Sequence, residues 1–351
     1  MKKRAKKVLV GPLDWGLGHI TRTIPIIEKL KERGHDVHTC GNEVAKKLYH
    51  EVFPDIPHKM ILGYNPKYSS RNTQGWAMVR QSPKFFSVIK KEEKIANDLV
   101  EKFNYDTIIS DNRYGLKSTK TTNIFICHQT EIMGPKVLKP LLRKINRNYI
   151  NQFDFCWIPD TNQKINLSGK LSSFTNNSCF KIGPLSRFLN HNSISKQNKY
   201  KFTAILSGPE PQRSILESKI IHLFRQLPSK CAIIQGKPLS KNNKEQNIDF
   251  FAHLNTDKFL DTIHNSEIIL CRSGYSNIMD FSALEKKVIF IPTPGQTEQE
   301  YLAKYHSKIS NVTSIRQHEI SLEKINSNTN TVIQPMYDEG LINLAFEKAM
   351  L

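Results

Sequence analysis

Short apolar runs of four or five residues, bounded by Gly, Pro or polar positions, recur along this chain. They alternate with stretches whose apolar residues return every three or four positions. In the first half, residues 7–10 (KVLV) form one such run. A Gly-rich loop follows, then an amphipathic stretch over 21–33, which Gly34 closes as a helix; 36–40 (DVHTC) reads as the next strand. Runs at 107–110, 123–127 and 155–158 continue the alternation, the pattern of a parallel sheet flanked by helices.

Residues 190–201 (NHNSISKQNKYK) carry almost no apolar content and read as a linker or exposed loop. The pattern then restarts, with a strand at 202–206, a turn at Gly208, a helix through about 224, and strands at 232–235, 268–271 and 288–291. The expected organisation is two α/β domains, 1–180 and 181–335, followed by a closing helix within 336–351.

Length and composition fit this picture. The chain has 351 residues, 38% hydrophobic and 24% charged, as in a soluble globular protein. The basic start MKKRAKK precedes only VLV before Gly11 and Pro12, too short for a signal-peptide core, so a cytoplasmic protein without a targeting segment is expected. Six cysteines, none in C-x-x-C spacing, suit reduced structural thiols. Charge is uneven: residues 1–190 hold 32 basic and 16 acidic side chains, leaving 19 and 16 for the rest. The first half therefore suits an anionic partner such as a phospholipid surface, an acidic acceptor or nucleic acid, although a Lys- and Asn-rich composition bias explains the same numbers.

Two loops carry candidate chemistry. In GPLDWGLGHITR (11–22), Gly16 and Gly18 permit close backbone approach ahead of a helix, but Thr21 stands where a dinucleotide fingerprint needs its third Gly. His19 would sit at that helix's positive end, which depresses imidazolium formation and leaves a neutral base near pH 7. Taken alone, it reads first as a capping or exposed histidine. In CRSGYSNIMD (271–280), a strand runs into Arg272, Ser273, Gly274, Tyr275 and Ser276 at a helix start, a donor set suited to a diphosphate, with Asp280 placed to accept ribose hydroxyls. The loop IPTPGQTEQEYLA (291–303) brings Gln296, Glu298, Gln299 and Glu300 to the carboxyl end of a strand. There they would read sugar hydroxyls or serve as a solvated cap.

Together, GLGH (16–19), CRSGYSNIMD and PGQTEQ resemble the GT-B glycosyltransferases, most nearly family 28, which includes the lipid II-forming N-acetylglucosaminyltransferase. The resemblance implies two Rossmann-like domains with parallel sheets facing across a cleft, the first for the acceptor and the second for a UDP-sugar. It assigns His19 the catalytic place in the Gly-rich loop. Ser273–Ser276 become the diphosphate loop, Asp280 the ribose contact, Gln299 the donor-sugar amide, and main chain near Leu254 and Thr256 the uracil contact. Glu300 replaces the family's second glutamine. SGPEPQR (207–213) stands for the Gly-rich turn opening the second domain, with Gly208 and Arg213 as donor contacts beside Arg272. Gly16, Gly18, Asp111, Asn112 and Arg113 (from ISDNRYG), and His128 (from CHQ) line the acceptor side, or serve only as loop caps and turns.

The expected reaction is inverting transfer of a hexose or N-acetylhexosamine to an acceptor hydroxyl on a lipid-linked or cell-envelope glycan. His19, or a water that it orders, takes the proton. No cofactor or metal is expected, since the chain has no D-x-D pair and no metal-spaced His/Cys cluster. Residues 65–91, which interleave aromatics with Lys and Arg, suit peripheral attachment to an anionic cytoplasmic membrane face. Two other readings remain. GLGHITR, with Arg22, also resembles the G-x-G-H-x-x-R motif of nucleotide-sugar hydrolases of pseudaminic acid biosynthesis. The basic composition alone would suit a nucleic-acid binder, but no binding motif accompanies it.

Overall fold

The computed structural model describes residues 4–61, 63–64, 81–133, 137–189, 198–208, 210–327, 332–333 and 338–351. Residues 65–80 of the aromatic and basic segment, 190–197 of the linker stretch, and Pro209 lie outside them. Contacts divide the chain into two compact units between Ser186 and Arg187, and residues 338–351 belong with the first.

In the first unit, seven strands form one sheet: β1 (Lys7–Pro12), β2 (Asp36–Gly41), β3 (His58–Met60), β4 (Thr107–Asp111), β5 (Thr122–Ile126), β6 (Phe155–Ile158) and β7 (Cys179–Lys181). Their order is β3-β2-β1-β4-β5-β6-β7, and every pair is parallel. Such strands are buried on both faces and read as unbroken apolar runs. Accordingly Val8, Leu9, Val10, Ile108, Ile109 and Phe125 have no exposed surface. Helices α1 (Leu17–Glu32), α2 (Glu43–Val52), α3 (Ser82–Phe103) and α4 (Lys139–Ile150) connect the strands.

Helix α1 begins four residues ahead of the expected amphipathic stretch. Gly16, with φ of 150°, turns the chain from β1 into the helix in a conformation that side chains rarely adopt. The early start places Gly18 and His19 inside the first helical turn. The sheet order reverses between β1 and β4, where their following loops part, the position at which open α/β sheets receive ligands.

The second unit repeats the plan with β8 (Tyr200–Ile205), β9 (Cys231–Ile234), β10 (Asn243–Glu245), β11 (Ile248–Phe251), β12 (Ser266–Cys271), β13 (Val288–Phe290) and β14 (Thr313–Ser314). Their order is β10-β11-β9-β8-β12-β13-β14, parallel except for the edge pair β10–β11. Helices α5 (Gln212–Phe224), α6 (Thr256–His264), α7 (Tyr275–Leu284), α8 (Thr297–Ile309) and α9 (Leu322–Asn326) accompany the sheet. Phe202, Leu216, Ile220, Phe224, Ile233 and Leu270 form its centre. Here the order reverses between β8 and β12. Strand β8 takes in Tyr200 and Lys201, read from sequence as linker. Tyr200 is buried and its hydroxyl donates to Asp249 Oδ2 at 2.7 Å, a partnership that local polarity conceals. All six cysteines are free and buried.

The C-terminal helix α10 (Glu339–Lys348) returns to the first unit. Phe346, fully buried, stacks on Trp157 of β6 with ring centroids 5.2 Å apart. Arg33 covers the outer side of Phe346 at 5.0 Å and donates to the Leu351 carbonyl at 2.8 Å. The Phe346→Ala variant should lose about 3–5 kcal/mol of stability, the range for emptying a buried aromatic site. Urea unfolding followed by tryptophan fluorescence measures this, and an unchanged midpoint would mean that the helix contributes nothing to the first unit.

Candidate active site

At the carboxyl ends of β1, β4 and β5, three side chains gather at the carboxylate of Asp111. Asp111 ends β4 with no exposed surface. Arg22 of α1, 2% exposed, lies side-on to it: Nε donates to Oδ2 at 2.7 Å and Nη2 donates to Oδ1. His19, one helical turn before Arg22, places Nδ1 3.2 Å from Asp111 Oδ2 and 2.9 Å from Arg22 Nη2. His128, just beyond β5, sets its Nδ1 3.2 Å from Arg22 Nη1. A guanidinium has five N–H groups in a fixed fork, so this one residue orients both rings and the carboxylate.

The electrostatics follow from burial and from that fork. Burial alone would raise the Asp111 carboxyl, but Arg22 and then His19 outweigh it and hold it below the ordinary range. Burial lowers the His19 imidazole from its usual value, Arg22 and His128 add to the effect, and Asp111 only partly opposes them. His19 keeps 18% of its side chain exposed. The result is a neutral, partly accessible imidazole held by one nitrogen, the arrangement a general base requires.

Gly16 makes the turn into α1, and Gly18 within its first helical turn precedes His19. Asn112 follows Asp111 with φ of 56°, and its N–H bonds the Ile126 carbonyl at 3.1 Å. Arg113 departs from its expected role. It is 1% exposed, paired with Glu92 of α3, and donates to the Pro12 carbonyl at 3.2 Å. Glu92 also accepts from the Tyr64 hydroxyl at 2.7 Å and the Gly115 N–H at 3.1 Å. This buried knot fastens α3 to the loop after β4, so Arg113 supports the loop from inside.

In the second unit, Gly274 caps α7 with extended backbone and no side-chain hydrogen bond, and the space beside its Cα is open. Gly274 itself thus contributes no side chain to the start of α7, which suits close approach of a ligand to the helix N-terminus. Ser273 Oγ donates to the Gln299 carbonyl at 2.8 Å, and Asn277 Nδ2 donates to the Arg272 carbonyl at 2.9 Å; both bonds fix the loop. Tyr275 turns inward, 2% exposed, while Ser276 and Asp280 are half-buried. Asp280 lies about 9 Å along the helix axis from Gly274.

Gln299 Oε1 accepts from the Thr293 N–H at 2.8 Å, and its own N–H bonds Gln296 Oε1, the cap of α8, at 2.6 Å. Glu300 accepts from Gly295 N–H at 2.8 Å, while Glu298 is half-buried in the first turn of α8. Leu254 is buried just before Asn255, which caps α6 by accepting from Lys258 N–H at 3.1 Å. Thr256 opens that helix and accepts from Arg187 Nη1 at 3.5 Å. Gly208, with φ of 96°, makes the turn after β8.

Arg213 and Arg272 are corrected as direct ligand contacts. The Arg213 side chain is 6% exposed and lies between Glu210 (2.8 Å) and Glu217 (3.0 Å), which take up its charge. Arg272 has no exposed surface and donates to the Gln212 and Ile291 carbonyls at 2.9 and 3.0 Å. Burial draws its guanidinium down to about 9, so it stays cationic at neutral pH, and its bonded partners are carbonyls rather than carboxylates. Its buried positive charge, on the residue before the loop at Ser273–Ser276, is thus bonded to main-chain carbonyls.

Sequence reading missed the part played by Arg22; the i, i+3 spacing from His19, which puts both on one helix face, was the available signal. Glu217 was signalled by its i, i+4 spacing from Arg213, while Glu92 and Asn277 gave no signal, because their partners are remote or main chain. Among the described residues, no group of three His, Cys, Asp or Glu side chains is placed to hold a metal ion.

Residues 195–339 match the Glycosyltransferase family 28 C-terminal domain. A curated relative from Histophilus somni (strain 129Pt), UDP-N-acetylglucosamine--N-acetylmuramyl-(pentapeptide) pyrophosphoryl-undecaprenol N-acetylglucosamine transferase, is 23% identical over 348 residues, covering 93% of this chain and 88% of its own. Among solved structures, Acinetobacter baumannii MurG superposes with a TM-score of 0.51 at 12% identity, covering 98% of this chain and 94% of that one. SnogD from Streptomyces nogalater gives 0.57 at 11%, covering 99% and 94%. Arabidopsis thaliana UGT89C1, complexed with UDP-L-rhamnose, gives 0.60 at 11%, covering 92% and 88%. These similarities bear out the resemblance to family 28 and the GT-B fold.

If the loop at Ser273–Ser276 holds a diphosphate, as the resemblance implies, replacing Arg272 with Met should weaken UDP binding roughly tenfold or more, as the nearby buried charge is lost. Isothermal titration with UDP measures it, and unaltered affinity would show that the main-chain donors suffice.

Proposed function

We propose that this chain, a glycosyltransferase of the family 28 type by its C-terminal domain and GT-B fold, moves a hexose or N-acetylhexosamine from a UDP-sugar to an acceptor hydroxyl with inversion. The observation that carries the mechanism is His19, neutral and half-buried, held through Nδ1 against Asp111 and Arg22. Its other nitrogen, Nε2, takes the proton as the acceptor oxygen attacks the anomeric carbon. The bond from that carbon to the diphosphate breaks in the same displacement, and negative charge grows on the departing UDP. Donors at Ser273–Ser276, with Arg272 behind them, stabilise that charge. Asp280 receives the ribose hydroxyls, Gln299 the sugar, and main chain around Leu254–Thr256 the base. Loop N–H groups and the buried cation supply the leaving-group stabilisation that a metal provides elsewhere, so the reaction should run without one.

The acceptor is proposed to be lipid-linked or part of a cell-envelope glycan, in keeping with the pyrophosphoryl-undecaprenol substrate for which the Histophilus somni relative is named. Supporting a membrane-side acceptor, Phe86 of α3, Val137 before α4 and Leu141 within α4 are 41%, 89% and 56% exposed. Phe86 stacks on Tyr149 of α4 with centroids 6.5 Å apart, so the two helices share this surface, and Lys84, Arg143 and Lys144 lie on the same segments. No helix among the described residues is long and apolar enough to cross a membrane.

The deciding measurement is UDP release from a panel of UDP-sugars, with and without a lipid extract of the protein's own cells. Extract-dependent release, insensitive to EDTA, is expected; equal release without extract would mark a hydrolase, and no release would overturn the donor assignment. His19→Ala should abolish most turnover while leaving UDP affinity intact. Because His19 must be neutral to accept a proton and its pKa is lowered, kcat/KM should hold as pH falls to the ordinary histidine value and drop only below it.

Peripheral attachment has its own test. The protein should sediment with vesicles containing anionic lipid but not with neutral ones, and Phe86→Ser with Leu141→Ser should reduce that binding. Failure to bind either vesicle would remove the membrane from the proposal.

A further inference from the structure

We infer that Arg22 is a positioning residue that sets the tautomer of His19 by competing with Asp111 for Nδ1; this rests on the base role proposed for His19. The Nδ1 atom faces two partners of opposite demand. Arg22 Nη2, 2.9 Å away, only donates, whereas Asp111 Oδ2, 3.2 Å away, only accepts. A neutral imidazole carries one ring hydrogen, so Nδ1 satisfies one of them and not the other. When Arg22 donates, the hydrogen resides on Nε2, and the ring offers a donor there. When Nδ1–H is given to Asp111, Nε2 is bare and ready to take the acceptor's proton.

The arrangement favours the first state. Asp111 already accepts from Arg22 through both oxygens, at 2.7 Å for Nε to Oδ2 and from Nη2 at Oδ1, so its demand for another hydrogen is reduced. The nearer partner of Nδ1 is the guanidinium. The charged and titratable groups acting on the ring are Arg22 on its own helix, Asp111 at the end of β4, and His128 after β5; the same guanidinium fixes His128 at 3.2 Å. The resting ring is the Nε2–H form. The base-competent form arises when one hydrogen passes, through solvent, from Nε2 to Nδ1 and Asp111 becomes its acceptor. Arg22 thus keeps the base latent while it neutralises the carboxylate that the active form needs.

The test uses the full chain labelled with ring-15N histidine, the His19 signals being identified by their loss in His19→Ala. Above the His19 titration, the wild type should show hydrogen on Nε2, and Arg22→Met should move it to Nδ1. In the same variant the acid limb of kcat/KM should shift to higher pH, because a cation is removed while Asp111 remains. If Arg22→Met does not fold with its carboxylate uncompensated, Arg22→Lys keeps a counter-ion without the fork, and its Nδ1–H fraction should exceed that of the wild type. Hydrogen on Nδ1 in the wild type, or a tautomer indifferent to Arg22, overturns the inference. The spectra need no turnover, so a tautomer that shifts as expected while His19→Ala retains activity would refute the base role and leave the Arg22 assignment standing.

Discussion

The first unit is organised around the ion pair between Asp111 and Arg22. Both groups are removed from water, the carboxylate completely and the guanidinium to 2%, so neither tolerates loss of the other. Stripping one member from such a pair costs about 3–5 kcal/mol, because the remaining charge stays buried and unmatched. Closure of the pair fixes the rotation of α1 against β4 across 89 residues of sequence. Thr23, the next residue, shares a 2.7 Å hydrogen bond with the Tyr49 hydroxyl and ties the same turn to α2. His19 is therefore oriented by elements that cannot move independently, which is what a base needs if its reach is to be reproducible.

Sequence carried the central strands of both sheets, and the reason is physical. Strands covered on two faces require uninterrupted apolar residues, so KVLV, TIIS, FCWI and IILC announce themselves. Edge strands bury little and carry no such run: β3 is HKM and β10 is NKE, and neither stands out from a loop. The start of α1 was hidden because its first turn contains Gly18 and its cap is Gly16, residues that argue for a loop until the turn after β1 is seen. Residues 82–91, read with 65–81 as a membrane-facing aromatic and basic segment, open helix α3, and Ile89 among them is buried.

The candidate site was legible where position along a strand implied it. His19, Asp111 and His128 each follow a β-run, and the switch point of an open sheet gathers such residues. Arginines were misread in one consistent way. Beside a Gly-rich loop, an arginine suggests an anion contact, yet Arg113, Arg213 and Arg272 all turn inward. Of their partners, Glu92 and the two main-chain carbonyls come from elements whose approach no local pattern encodes, whereas Glu217, four residues after Arg213 on the same helix, was legible as an i, i+4 pair. Arg22 was legible only as part of GLGHITR, since its carboxylate partner Asp111 lies 89 residues further along the chain.

The two units treat buried positive charge in opposite ways, and the contrast matches the chemistry proposed for each. Arg22 is paired with Asp111, and burial, with the guanidinium adding to it, lowers the His19 imidazole so that the ring loses its proton readily. Arg272 immediately precedes the loop at Ser273–Ser276, with main-chain carbonyls as its bonded partners. A cation inside a low-dielectric wall is felt more strongly at short range than one spread in water, while burial spares the ligand a flexible side chain to order. A base must not attract protons before the substrate arrives, whereas a leaving-group site must already be positive when charge develops. Placing one arginine against a carboxylate and the other against main chain meets both conditions with the same residue type.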